Sequence, residues 1–208
     1  MEESKYLKLA RQARAENNSE DAKNYYAKVR EEDPENGEAK YFHAYYSLYS
    51  GTNKELCSRF INLCKSLPSS ISLIKESPLG KDEQLKSIKE IVDSFVPETW
   101  AENKYMNSKN AGNSNFRVFD YNEIKACCVA GMKALKDLGD KINELYSPDP
   151  LAKNLAVSAW KEYVALSQKW YAYAVKGDAE VYAEKIKKYD PSYQMPKKAG
   201  CISFSNKR

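Results

Sequence analysis

Hydrophobic and polar positions in the first 70 residues follow one pattern that is written twice, 34 residues apart. In the first copy, one helical face carries Tyr6, Leu9, Ala10 and Ala13, and a second face carries Ala22, Tyr26 and Val29, with Pro34 after it. The second copy places Ala44, Leu56, Phe60, Leu63 and Pro68 at matching positions. A period of this length is typical of stacked helix–turn–helix units.

Local signals predict where the first four helices begin and end. The pattern predicts helices over 3–17 and 20–32, with Ser19 as the N-cap of the second and Pro34 as its stop. It then predicts a helix over 37–50 that ends at Gly51, and a fourth helix that follows Thr52 and runs to Leu67. Thr52 and Glu55 have the spacing of a capping box, and Pro68 is expected to end the fourth helix.

After Pro68 the period is lost, but helical spacing continues. Apolar residues from Leu85 to Phe95 predict an amphipathic helix, and Pro97 is expected to open the next one. A polar run over 107–116 is the predicted linker. Beyond it, Asp120 and Glu123 predict a capping box for a helix to Tyr146, followed by helices over 151–176 and 178–189. We therefore expect a helical region over 1–106, the linker, a helical region over 117–191 and a basic, disordered tail over 192–208.

The repeats resemble a known family. Residues 3–36 and 37–70 are similar to two tetratricopeptide repeats, and the junction Asp33-Pro34-Glu35-Asn36-Gly37-Glu38-Ala39 is the segment most typical of that family. Residues 160–191 resemble a third, degenerate copy. The resemblance implies an all-α fold of antiparallel helix pairs, stacked as a short right-handed superhelix and followed by a further helical bundle segment. It also implies a scaffold or adaptor whose concave surface binds a peptide or a partner helix.

Transferred by position, the groove-facing residues would be Leu7, Arg11, Arg14, Tyr41, Tyr45 and Tyr49. Arginine binds carboxylates through two parallel hydrogen bonds, and tyrosine supplies contact area at low entropy cost. Two alternatives remain open. The tyrosines, spaced four apart, could form the core against a neighbouring helix, or the C-terminal helices could fill the groove so that the protein is a structural or homo-oligomerisation module.

The distribution of charge along the chain does not predict a nucleic-acid-binding protein. The chain has 33 basic and 29 acidic residues, and the tail from Ser192 contains Lys197, Lys198, Lys207 and Arg208 without an acid. Residues 1–191 are therefore neutral overall, which does not indicate a nucleic-acid interface. No run approaches the roughly 20 apolar residues of a membrane span, and the first residues do not resemble a signal peptide. The expected location is cytoplasmic.

Candidates for chemistry are few, so we expect neither an enzyme nor a cofactor. The five cysteines include no CxxC pair, and His43 is the only histidine, so a zinc site of the usual spacing is not predicted. We expect reduced, structural thiols, with one of Cys127 and Cys128 exposed. His43 is expected to be a partly buried packing residue, and no phosphate-binding glycine loop is present.

Overall fold

The computed structural model describes residues 4–52, 55–111, 120–170 and 173–198, with the backbone alone over 103–111. These residues form α-helices and no strands, which confirms the all-α prediction. In chain order the helices are α1 (Lys5–Ala15), α2 (Ser19–Glu32), α3 (Gly37–Tyr46), α4 (Leu56–Glu76), α5 (Lys81–Ala111), α6 (Tyr121–Tyr146), α7 (Pro150–Lys169) and α8 (Asp178–Lys187).

Helices α1 and α2 form a hairpin held by small residues. Ala10 and Ala22 are fully buried and let the two helices approach closely. The turn between them is three residues long, so the helices run antiparallel. Asn18 rather than Ser19 is the N-cap of α2, and its side chain accepts a hydrogen bond of 3.2 Å from the Asp21 amide. The hairpin was predicted from the sequence, with its cap displaced by one residue.

Helix α3 packs against α4 at a glycine. A Cβ on Gly37 would lie 2.3 Å from the Ser70 carbonyl oxygen, so only glycine allows this approach. Helix α3 ends at Tyr46, four residues earlier than predicted. The predicted capping box before α4 is wrong, because the N-cap is Glu55 and its side chain makes no capping hydrogen bond.

Two prolines predicted to mark helix boundaries lie inside helices. Pro68 is within α4 and Pro97 is within α5. Proline removes one backbone hydrogen bond, at a cost of about 3 kcal/mol. The flanking side chains offset that cost by burial: Leu67 and Ile71 beside the first proline, and Phe95 beside the second, are completely buried. Tertiary packing therefore continues both helices through positions where local signals predict an end.

Helix α5 is the longest element and contacts α3, α4, α6 and α7. It extends over the first residues of the predicted linker, as far as Ala111, and 112–116 lie outside the described residues. The proposed division into two halves therefore stays a prediction.

Helix α6 lies between α4 and α7. Its capping box, with Asp120 and Glu123, is present as predicted. Because α6 packs on two sides, both Cys127 and Cys128 are buried, and the expectation that one of them is exposed is wrong. Helix α7 approaches α6 closely at Gly139, since a Cβ there would lie 2.4 Å from Trp160 Nε1.

A disulfide joins Cys57 of α4 to Cys127 of α6 across 70 residues. The prediction that these two residues are free thiols is wrong, whereas Cys64 and Cys128 are buried free thiols. The expected cytoplasmic location, which was inferred from the lack of an apolar span and of a signal-peptide pattern, stays a prediction.

The ends of the C-terminal helices agree only in part with the prediction. Asp149 caps α7, with Pro150 in its first turn, so the predicted break before α7 is confirmed. Helix α7 ends at Lys169 rather than at residue 176, and Gly177 precedes α8 with a φ of +82°. Beyond α8, Tyr193 and Met195 pack against the core, and 199–208 of the predicted tail lie outside the described residues. Among the described helices, none is both long and apolar enough to span a membrane.

Candidate functional site

The six residues predicted to face a groove divide between two helices. Leu7, Arg11 and Arg14 are on α1 and line a cavity, whereas Tyr41, Tyr45 and Tyr49 are on or just after α3. The structure therefore does not bring all six to one open surface.

Helix α5 contacts the tyrosine row and buries Tyr41. Tyr41 is 0% exposed, and its hydroxyl lies 2.9 Å from Ser94 Oγ on α5. Tyr45 is half-buried, and burial together with Glu98 raises its pKa to about 12. Tyr49 is 65% exposed, but its hydroxyl donates to Glu98 of the same helix. The helix that covers these residues is α5, not the region 117–191.

An open cavity remains beside this covered row. Its volume is about 1190 Å³, and it lies between α1, the α2–α3 junction, the end of α4 and the start of α5. Its apolar lining includes Leu7, Leu73, Ile74 and Leu79. The position of α5 creates this cavity, because α5 supplies one wall and the turn before it supplies the end.

A charged cluster around Glu38 lies in the cavity wall. The Glu38 carboxylate is 4% exposed and accepts hydrogen bonds of 2.5 and 2.9 Å from Arg11 Nη2 and Nε. Tyr26 donates to the same carboxylate at 3.1 Å, and Arg14 Nη1 lies 3.6 Å away. Burial alone would raise the pKa of Glu38, but the two arginines and Tyr26 lower it below its ordinary value.

Arg14 connects this cluster to α5. Its Nη2 donates to Glu90 at 2.5 Å, and its guanidinium lies over the Phe42 ring, 4.2 Å from the centroid. The two arginines therefore face Glu38 and Glu90, two carboxylates of the same chain. A free carboxylate from a partner would have to compete with them.

The rim of the cavity is acidic. Asp33 and Glu35 lie on the side of the α2–α3 junction, and Glu76 and Glu83 lie at the turn between α4 and α5. Lys86 is the one cation at the rim among the described lining residues. The cavity therefore combines an apolar floor, an internally neutralised wall and an acidic edge.

A second carboxylate pair lies on α5, apart from the cavity. Glu98 and Glu102 are buried, and Glu102 Oε2 has no hydrogen-bond partner among the described residues. Burial, followed by the neighbouring Glu98, raises the pKa of Glu102 to about 7, while Arg59 acts in the opposite direction. Near neutral pH Glu102 is therefore partly protonated, whereas an exposed glutamate would be ionised.

Among the described residues, no histidine or cysteine lines the cavity. His43 is partly buried, as predicted, and its Nδ1 lies 3.0 Å from Arg30 Nη1. Burial and the nearby cations Arg30 and Lys23 lower its pKa. Burial raises the pKa of the Cys64 thiol. Among the described residues, no group of three or more His, Cys, Asp or Glu side chains could hold a metal ion.

The sequence interpretation missed the acidic residues of the site. Neither Glu38 and Glu90 nor the acidic residues of the rim were predicted to be site residues. The sequence holds one signal for Glu38: it lies beside Ala39 at the start of a helix whose packing face is apolar, where a charged residue is unusual. Glu90 gave no such signal, since its ion pair with Arg14 depends on where α5 lies relative to α1.

Comparison of the chain with protein-family models, with curated proteins and with solved structures finds no match.

Proposed function

We propose that this protein is a tetratricopeptide-like interaction module that binds a segment of a partner protein in the cavity between α1 and α5. The 34-residue period in the sequence supports this proposal, together with the succession of helix pairs in which each helix packs on the next. Part of the proposal is that the pairs are stacked as a short right-handed superhelix.

The single observation that carries the proposal is the cavity itself. Its volume, about 1190 Å³, exceeds the roughly 300–1,000 Å³ of typical small-molecule sites. It is open to solvent, and its lining contains both apolar and charged side chains. Such a surface suits an extended or helical peptide better than it suits one small ligand.

The contact residues are revised accordingly. Leu7, Arg11 and Arg14 stay in the proposed binding surface because they line the cavity. Tyr41 is inside the core, and we assign it to the support of α5 rather than to a partner. Tyr45 and Tyr49 lie along the same support, through their contacts with Glu98.

A second candidate function has its own observation. The cover of α5 over the tyrosine row is the arrangement expected of a structural module whose own helix fills the groove. In that case the protein would use its repeats for support or for self-association, and the cavity would have no peptide ligand.

Selection from a random-peptide display library separates the two candidates. Ala15 is exposed at the cavity edge, so Ala15→Trp places a large side chain over the opening. Ala126 is exposed on α6, outside the cavity, and Ala126→Trp is the matched control. We expect enriched peptides that bind the wild type and the control but not Ala15→Trp. A library that yields no enriched peptide, or peptides that bind all three proteins equally, would favour the structural module.

A further inference from the structure

We infer that the partner segment is a basic peptide that also carries apolar side chains. This inference rests on the proposed function and specifies the chemistry of the ligand. It follows from an acidic rim placed around an apolar floor in one cavity.

The charges of the lining do not balance. The lining contains six acidic residues and three basic ones. The charges of the arginine–carboxylate pairs in the wall cancel one another, because Arg11 and Arg14 face Glu38 and Glu90. The excess is therefore at the rim, where a ligand would arrive.

The rim acids are available for a ligand. Glu35, Glu76 and Glu83 are exposed, and among the described residues no salt bridge joins any of them to a cation. They approach the opening from two sides, the α2–α3 junction and the α4–α5 turn. Lysine or arginine side chains of a bound segment would meet a carboxylate on either side.

The floor requires apolar side chains as well as charge. Leu73 and Leu79 line the opening without being fully buried, and Leu79 is 37% exposed. Leu7 and Ile74 lie deeper and are almost completely buried. Covering the leucines would remove apolar surface from water, which favours binding. A purely polar basic peptide would leave that surface uncovered.

The net charge of the whole chain does not produce this preference. The protein carries a formal charge of +4, so at long range it repels a basic peptide. The attraction must therefore come from the local carboxylates at the rim. This makes the preference a property of the cavity that single charge reversals can test.

Glu83 and Asp82 provide a matched pair for that test. Both are exposed in the first turn of α5, but only Glu83 lines the cavity. Peptides selected as described above are sequenced, synthesised with a fluorescent label and titrated by anisotropy. We expect them to be enriched in lysine and arginine together with leucine, isoleucine or phenylalanine. Glu83→Lys should weaken binding about fivefold, and Asp82→Lys should change it less than twofold.

The outcomes separate the ligand class from the function. Selected peptides that are acidic or uncharged, or basic peptides bound equally by both variants, overturn the inference and leave a peptide-binding module. A selection with no cavity-dependent peptide contradicts the proposed function itself. We also expect the peptide to bind more weakly in 0.5 M salt than in 0.05 M salt. Binding that does not depend on salt would contradict recognition by the exposed rim.

Discussion

Glu38 is the residue on which the charged wall of the cavity depends, so Glu38→Gln is the most informative substitution. It keeps the side-chain volume and removes the charge. Its amide oxygen can still accept from Tyr26, but its amide nitrogen is a donor that would face the donors of Arg11. We expect the folded state to lose stability because two guanidinium groups lose their shared carboxylate.

The structure sets the size of that loss. Breaking a fully buried ion pair costs about 3–5 kcal/mol. Here Arg11 is 35% exposed and Arg14 is 18% exposed, so water partly replaces the lost partner. Arg14 also keeps Glu90. We therefore expect a loss of about 2 kcal/mol. The control is Glu90→Gln: Glu90 is 33% exposed, and its loss should stay below about 1 kcal/mol.

The dependence on pH distinguishes a charge effect from a packing effect. The pKa of Glu38 is lowered in the folded protein. Its contribution is therefore present above the unfolded pKa of about 4.3 and is lost as pH falls through the folded value. Urea unfolding followed by circular dichroism at pH 7 and at pH 3 measures this. A loss no larger than that of Glu90→Gln, or a loss that is unchanged at pH 3, would refute the reasoning.

Three further predictions concern stability. Gly139→Ala should lower the free energy of unfolding by about 2 kcal/mol, since overpacking against α7 outweighs the gain in helix propensity. Gly80→Ala, with open space around it, should change it by no more than about 0.5 kcal/mol. Thermal unfolding of both variants checks this. Peptide mapping without reductant should recover Cys57 linked to Cys127, and reduction should lower stability by about 4 kcal/mol; free thiols at both positions would contradict the assignment. The pKa of Glu102 is raised to about 7, so the contribution of its protonated form to stability is present at low pH and is lost as pH rises through that value. Glu102→Gln should therefore gain stability relative to the wild type between pH 5 and pH 8. A stability difference that does not change over this range would contradict the raised pKa.

The hydrophobic periodicity was sufficient to predict that most of the helices exist, but not where they begin and end. The α1–α2 hairpin could be predicted from Ala10 and Ala22, because small residues at helical spacing allow two helices to pack closely. Pro68 and Pro97 misled the boundary predictions, because the burial of their neighbours depends on helices distant in sequence. A local signal of about 3 kcal/mol is outweighed when a whole turn packs into a core.

The site was less predictable than the fold for a related reason. Leu7, Arg11 and Arg14 were predicted by transferring groove positions from the family resemblance, and the structure places them along one cavity. Tyr41 has the same kind of position on α3, but α5 lies on it. The path of α5 lies after the point where the repeat period is lost, so the pattern could not specify which face it covers.

The most direct test of the central proposal is chemical-shift mapping by NMR of a selected basic peptide titrated into the isotope-labelled full chain. The account predicts that the largest amide shifts lie at the cavity, at Leu7, Gly37, Leu79 and Glu83. Shifts confined to α6, α7 and α8 would contradict it.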